Sequence, residues 1–220
     1  MNSRRFRLLP FLLLLVVSLS ANAQIDPVKR QLLQLGYNQP LEGKGPIAGY
    51  ALYFLNQPGF WKTNVTLRLA VAPVFADAEL GFADVLGENT DLGIGLSGGG
   101  FADTHEEIRV GRHLTGESFT GHGGELSASL YHLLNPNDRI PLHAVFRLAG
   151  HFTDYQVDSL TSTGFIAPAN RTSLRTRAGL RLGGREPLLS PELALEVSGW
   201  YESHFHETHD PFGFGGDRIA

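Results

Sequence analysis

His204, His206 and His209, with Glu202 and Glu207 among them, form the one histidine and carboxylate cluster with metal-ligand character. On a strand, residues two apart share a face, so His204 and His206 could grip Zn2+ or Cu2+ once a loop supplied a third ligand. Such residues more often serve as polar rim chemistry, and no cofactor is expected. Ser118, His122 and Glu117 around Gly121-His122-Gly123 supply the residue types of a nucleophile, a base and an orienting acid. Nothing in their spacing fixes them, and no catalytic residue is assigned. With no cysteine, thiol nucleophiles, thiolate metal sites and disulfides are excluded. The glycines at 93, 95 and 98–100 are followed by neither Lys-Ser/Thr nor a helix, which removes a phosphate cradle.

A second set of charges repeats with a different logic. Arg68, Arg147, Arg175, Arg177, Arg181, Glu192, Glu196 and Glu202 each alternate with apolar residues. Residues 64–72 oppose Val65, Leu67, Leu69 and Val71 to Thr66, Arg68 and Ala70. Residues 142–153 oppose Leu142, Ala144, Phe146, Leu148 and Phe152 to His143, Arg147 and His151, and 172–182 oppose four apolar residues to Ser173, Arg175, Arg177 and Arg181. Segments 91–97, 125–134 and 192–206 follow the same rule, which is that of strands with one apolar and one polar face. Residues 48–55 are a weaker seventh strand, and 73–85 either extend the strand before them or form a loop around Pro73. Arginines on 172–182 facing glutamates on 192–206 would make a cross-strand ladder, which suits a water-filled lumen.

The N-terminus carries a different signal. Arg4, Arg5 and Arg7, an apolar run from Leu8 to Leu19 and Ala21-Asn22-Ala23 predict a signal peptide over 1–23. Its removal takes three arginines and no acid, so 18 basic residues fall to 15 against 22 acidic ones. A net charge of about −7 argues against nucleic-acid binding. Residues 26–36 predict a short helix, capped by Asp26, with Pro27 in its first turn, Val28, Leu32 and Leu35 on one face and Gly36 at its end. The expected domains are the signal over 1–23, a periplasmic helix and linker over 24–46, and a β-domain over 47–220.

Long polar loops at 98–123 and 154–171 alternate with short turns at 86–90, 135–141 and 183–191. Two rims of unequal loop length, strands of 11 to 15 residues and aromatics near strand ends point to an all-β, antiparallel transmembrane barrel in the outer membrane. Its role would be passive: a pore, a structural element or part of a larger barrel, with membrane lipid as partner. A soluble periplasmic β-sandwich that binds a partner and a barrel enzyme acting on lipid or protein are the alternatives. About seven or eight strands are expected, Ala48–Leu55 running outward. An odd count implies closure by further strands or by other subunits.

The stretch Ala83-Asp84-Val85-Leu86-Gly87-Glu88-Asn89-Thr90-Asp91-Leu92-Gly93-Ile94-Gly95 resembles an early hairpin of the BamA-like outer-membrane assembly and surface-antigen superfamily. Tyr131 to Tyr155, with Asn135-Pro136, Pro141-Leu142 and Arg147-Leu148, is similar to the hairpin that follows it there. The resemblance covers about 70 residues and implies barrel architecture. It does not extend to the periplasmic substrate-binding repeats of that superfamily, for which 24–46 is too short, or to its later-strand motif.

Overall fold

The computed structural model describes residues 25–37, 49–138, 140–183, 196–206 and 210–219. It is built from β1 (Arg30–Tyr37), β2 (Gly49–Pro58), β3 (Val65–Ala72), β4 (Phe75–Phe82) and β5 (Thr90–Gly99). The short strands β6 (Ile108–Arg109) and β7 (Arg112–His113) follow, then the long β8 (Thr120–Leu133) and β9 (Leu142–Gln156). The chain continues through β10 (Phe165–Ile166), β11 (Arg171–Gly183), β12 (Glu196–His206), β13 (Pro211–Phe214) and β14 (Arg218–Ile219). Nine of these make one antiparallel sheet in the order β1-β2-β3-β4-β5-β8-β9-β11-β12. Sequential strands are thus spatial neighbours throughout. Among the described residues no ladder joins β1 to β12, so the sheet is open at both edges. No described helix is long and apolar enough to cross a membrane.

The predicted helix over 26–36 is not formed. Its second part is β1, which pairs with β2 over all eight residues from Arg30↔Asn56 to Tyr37↔Gly49. The Leu32-Leu33-Gln34-Leu35 run fits a period of two as well as one of 3.6, and in so short a segment the partner strand decides. Asp26 caps no helix: its carboxylate accepts from Val28 N at 2.9 Å and Arg30 Nε at 2.5 Å, turning the chain into the strand. Gly36, expected as a helix stop, instead lies directly under the ring of Tyr50, where a Cβ would collide. Residues 1–24 and 38–48, covering the predicted signal and most of the predicted linker, lie outside the described residues.

The open segment 73–85 contains β4, joined to β3 through the tight turn at Pro73-Val74. With β1 and β4 added, Ala48–Leu55 and 64–72 run opposite to the expected directions. From β5 onward the two added strands cancel, so the alternation of strand directions relative to the first strand is the one expected. Loops 100–119 and 157–170 therefore share one rim, and 59–64, 83–89 and 134–141 share the other.

The two faces of the sheet have inverted polarity for a protein in water. Register places Arg68, Glu79, Gly95, Ser127, Ala149, Arg175 and His204 in one row across seven strands. This inner face is the more buried one. Among the described residues twelve polar or charged residues are buried against eight hydrophobic ones, including Asp91, Ser129, Asn56 and His143. The opposite face carries Leu33, Leu35, Leu96, Leu126, Phe146, Leu148, Leu174, Leu180, Val197 and Tyr201, all exposed, Leu126 at 62% and Tyr201 at 74%. No described element covers that apolar belt.

Candidate functional site

The inner face brings the predicted arginines and glutamates together. Arg68 lies 3.8 Å from Asp77 and 3.9 Å from Glu79, and Tyr131 donates to Glu79 from β8 across the glycines of β5 at 3.3 Å. On the other side Arg177 meets Glu202 at 2.5 Å and Arg181 meets Glu196 at 3.4 Å, which realises the ladder between β11 and β12. Glu192 lies outside the described residues. Arg147 and Arg175 do not use β12: both turn to Glu125 on β8, at 2.6 and 3.6 Å. Glu125 is thus the hub of this face. The alternation over 125–134 put it on the polar side, but nothing local distinguished it from Ser127 and Ser129.

A loop reaches down onto this network. Asp103 accepts from His151 Nε2 at 2.6 Å and from Thr153 Oγ1 at 2.7 Å, and its backbone N–H donates to Gly121 O at 3.1 Å. His151 Nδ1 lies 3.6 Å from Glu125. The approach is possible because Gly121 and Gly123 present bare backbone, since a Cβ on either would strike Asp103. Loop 100–119 is therefore folded against the inner face of β8 and β9. Burial raises the Asp103 carboxyl, but the hydrogen bonds from Thr153 and His151 and the charges of His151 and Arg175 outweigh it, so its pKa lies below the ordinary aspartate value.

A lowered folded pKa gives stability that is complete above the unfolded value of about 3.9 and lost as pH falls through the folded one. The latch should hold through mild acid. Because the chain has no cysteine, a single Ala102→Cys carries an environment-sensitive dye without competing labels. Its emission should be constant from pH 7 to about 5 and change only below about 4. A transition centred near neutrality would show that Asp103 does not hold the loop.

Above the latch the long-loop rim is packed as one body. Phe119 stacks on His105 and meets Tyr155, Phe165 and Phe212 at ring separations of 5.1 to 6.1 Å. Arg218 from β14 ion-pairs with Glu107 and Glu117, and Arg109 bridges the same two acids. Residues 210–219 thus supply two short strands to this rim.

The serine constellation is not assembled. Glu117 is engaged by the two arginines, and His122 Nδ1 accepts from Phe101 N. Ser118 Oγ contacts His113 at 3.1 Å instead, a histidine the sequence did not single out. The hydroxyl also lies 3.0 Å from Leu114 O and accepts from Glu107 N, so it is tied to three parts of the loop at once. It pins the loop. His204 pairs with Glu202 at 2.6 Å, beside His206 on the inner face, while His209 and Glu207 lie outside the described residues. The described residues contain no group of three metal-ligating side chains. Searches of family models, of curated proteins and of solved structures gave no match to the chain.

Proposed function

We propose that this chain is part of an outer-membrane β-barrel with a passive role, its apolar belt against lipid and its charged face lining a water-filled lumen. One observation carries the reading: nine antiparallel strands expose leucine and phenylalanine on one face and, on the other, bury glutamate, histidine and serine among half-buried arginines. A soluble β-sandwich needs a second sheet over the apolar face, and the small sheets β6-β7 and β10-β13-β14 belong to the loop rim. In hydrocarbon the uncovered belt is favourably placed, while in water it is a run of exposed apolar side chains across most of the sheet with nothing over it.

Closure needs partners. β1 and β12 run in the same direction, so joining them directly would be parallel in an otherwise antiparallel sheet, and their free N–H and C=O groups would each cost several kcal/mol in lipid. Further strands or other subunits fill the seam in this reading. The protein should fractionate with the outer membrane and migrate faster before boiling than after. Refolded as residues 24–220, it should have the molar mass of an oligomer. Recovery in the soluble periplasm without detergent would sink the membrane reading, and a compact heat-modifiable monomer would sink the need for partners.

A further inference from the structure

We propose that the inner face of β9 and β11 binds a small oxyanion, a solute carrying a phosphate or carboxylate group, between Arg147, Arg175 and Arg177. The proposal rests on the reading of this face as a water-filled lumen. A cavity of about 230 Å3 lies there, lined by these three arginines with Glu125, Glu202 and Ala149. Arg147 and Arg177 stand directly opposite each other in the β9–β11 register, where like charges repel. They relieve the repulsion by turning apart, Arg147 to Glu125 and Arg177 to Glu202, which leaves the cavity between them.

Both acids are already used. Glu125 gives one oxygen to Arg147 and the other to Arg175 and His151, and Glu202 gives one to Arg177 and the other to His204. Three guanidinium groups bring five N–H donors each, far more than four engaged carboxylate oxygens accept. Arg175 Nε is buried with no hydrogen-bond partner. Within the lining three positive charges stand against two negative ones, Asp103 lying outside it though near enough to feel Arg175, and planar N–H forks match oxyanion geometry bidentately. The apolar belt is on the opposite face, so the ligand arrives from water and not from a lipid headgroup.

Trp200 supplies the reporter, because Arg177 sits 5.8 Å from its ring centroid. The chain has two tryptophans, and Trp61→Phe leaves Trp200 alone. In that background the refolded, heat-modifiable protein is titrated with inorganic phosphate and separately with citrate, at constant ionic strength set with chloride. The expected result is a saturable change in Trp200 emission with at least one of them, weakened about tenfold or more by Arg175→Gln, which removes charge-assisted hydrogen bonds. Arg177→Lys, which keeps the charge and loses the fork, should weaken it too, so the outcome does not depend on one variant folding. Linear responses to both probes, or saturation unchanged in both variants, would overturn the site. Acrylamide quenching separates the two levels: a Trp200 shielded from aqueous acrylamide and quenched by brominated detergent would overturn the lumen reading itself, whereas an accessible Trp200 without saturable binding would overturn the oxyanion site alone.

Discussion

An arginine at Leu148 should cost ~2–4 kcal/mol of membrane folding, since that is the penalty for a cation on the lipid face near the midplane of a barrel. Leu148 sits midway along β9 between Ala128 and Thr176 on the exposed apolar face. Ser198→Arg provides the contrast. Ser198 is on the inner face opposite Arg181, with Glu196 two residues away, and repulsion screened by water should hold its cost under about 1 kcal/mol. Reversible urea unfolding in lipid vesicles measures both. Equal penalties on the two faces would show that the assignment of lipid and lumen is wrong, and a larger penalty at Ser198 would show that it is inverted.

Glu125→Leu should destabilise the fold by ~1–3 kcal/mol, because it leaves Arg147 and Arg175 without their shared carboxylate, and removing one partner of a partly buried ion pair leaves charge uncompensated. The side chain of Glu125 is 14% exposed and those of the two arginines 31%. Glu202 makes an equally short bond to Arg177, but with side chains 33% and 47% exposed its replacement by leucine should cost only ~0–1 kcal/mol. The same unfolding assay decides. Similar values at the two glutamates would mean that the inner face is solvated throughout and that Glu125 is no hub.

How much of this was legible in the chain depends on which contacts are local. Alternation assigns a residue to a face without reference to any partner, so Arg68, Arg147, Arg175, Arg177 and Arg181 were placed together from sequence. β4 escaped because its outward residues begin Ala76 and Ala78, a weak apolar signal next to Pro73. β1 was read with the wrong period because Leu32, Leu33 and Leu35 satisfy both. Where seven or eight strands were expected, the sheet has nine among the described residues, β1 and β4 being the two that were missed.

What the sequence determined by itself is the period of two, the sign of each face and the alternation of long and short connections, because these follow from side-chain chemistry along a single strand. What only the tertiary structure decided is which charge meets which. Glu125 gathers Arg147 and Arg175 from two other strands, Asp103 reaches 48 residues ahead to His151, and Ser118 finds His113 in place of His122. These choices depend on register and on loop path, which are set by pairing with distant backbone and by the two glycines that let loop 100–119 lie on β8. A strand carries its polarity in its own residues, but its neighbours are fixed only when the sheet forms.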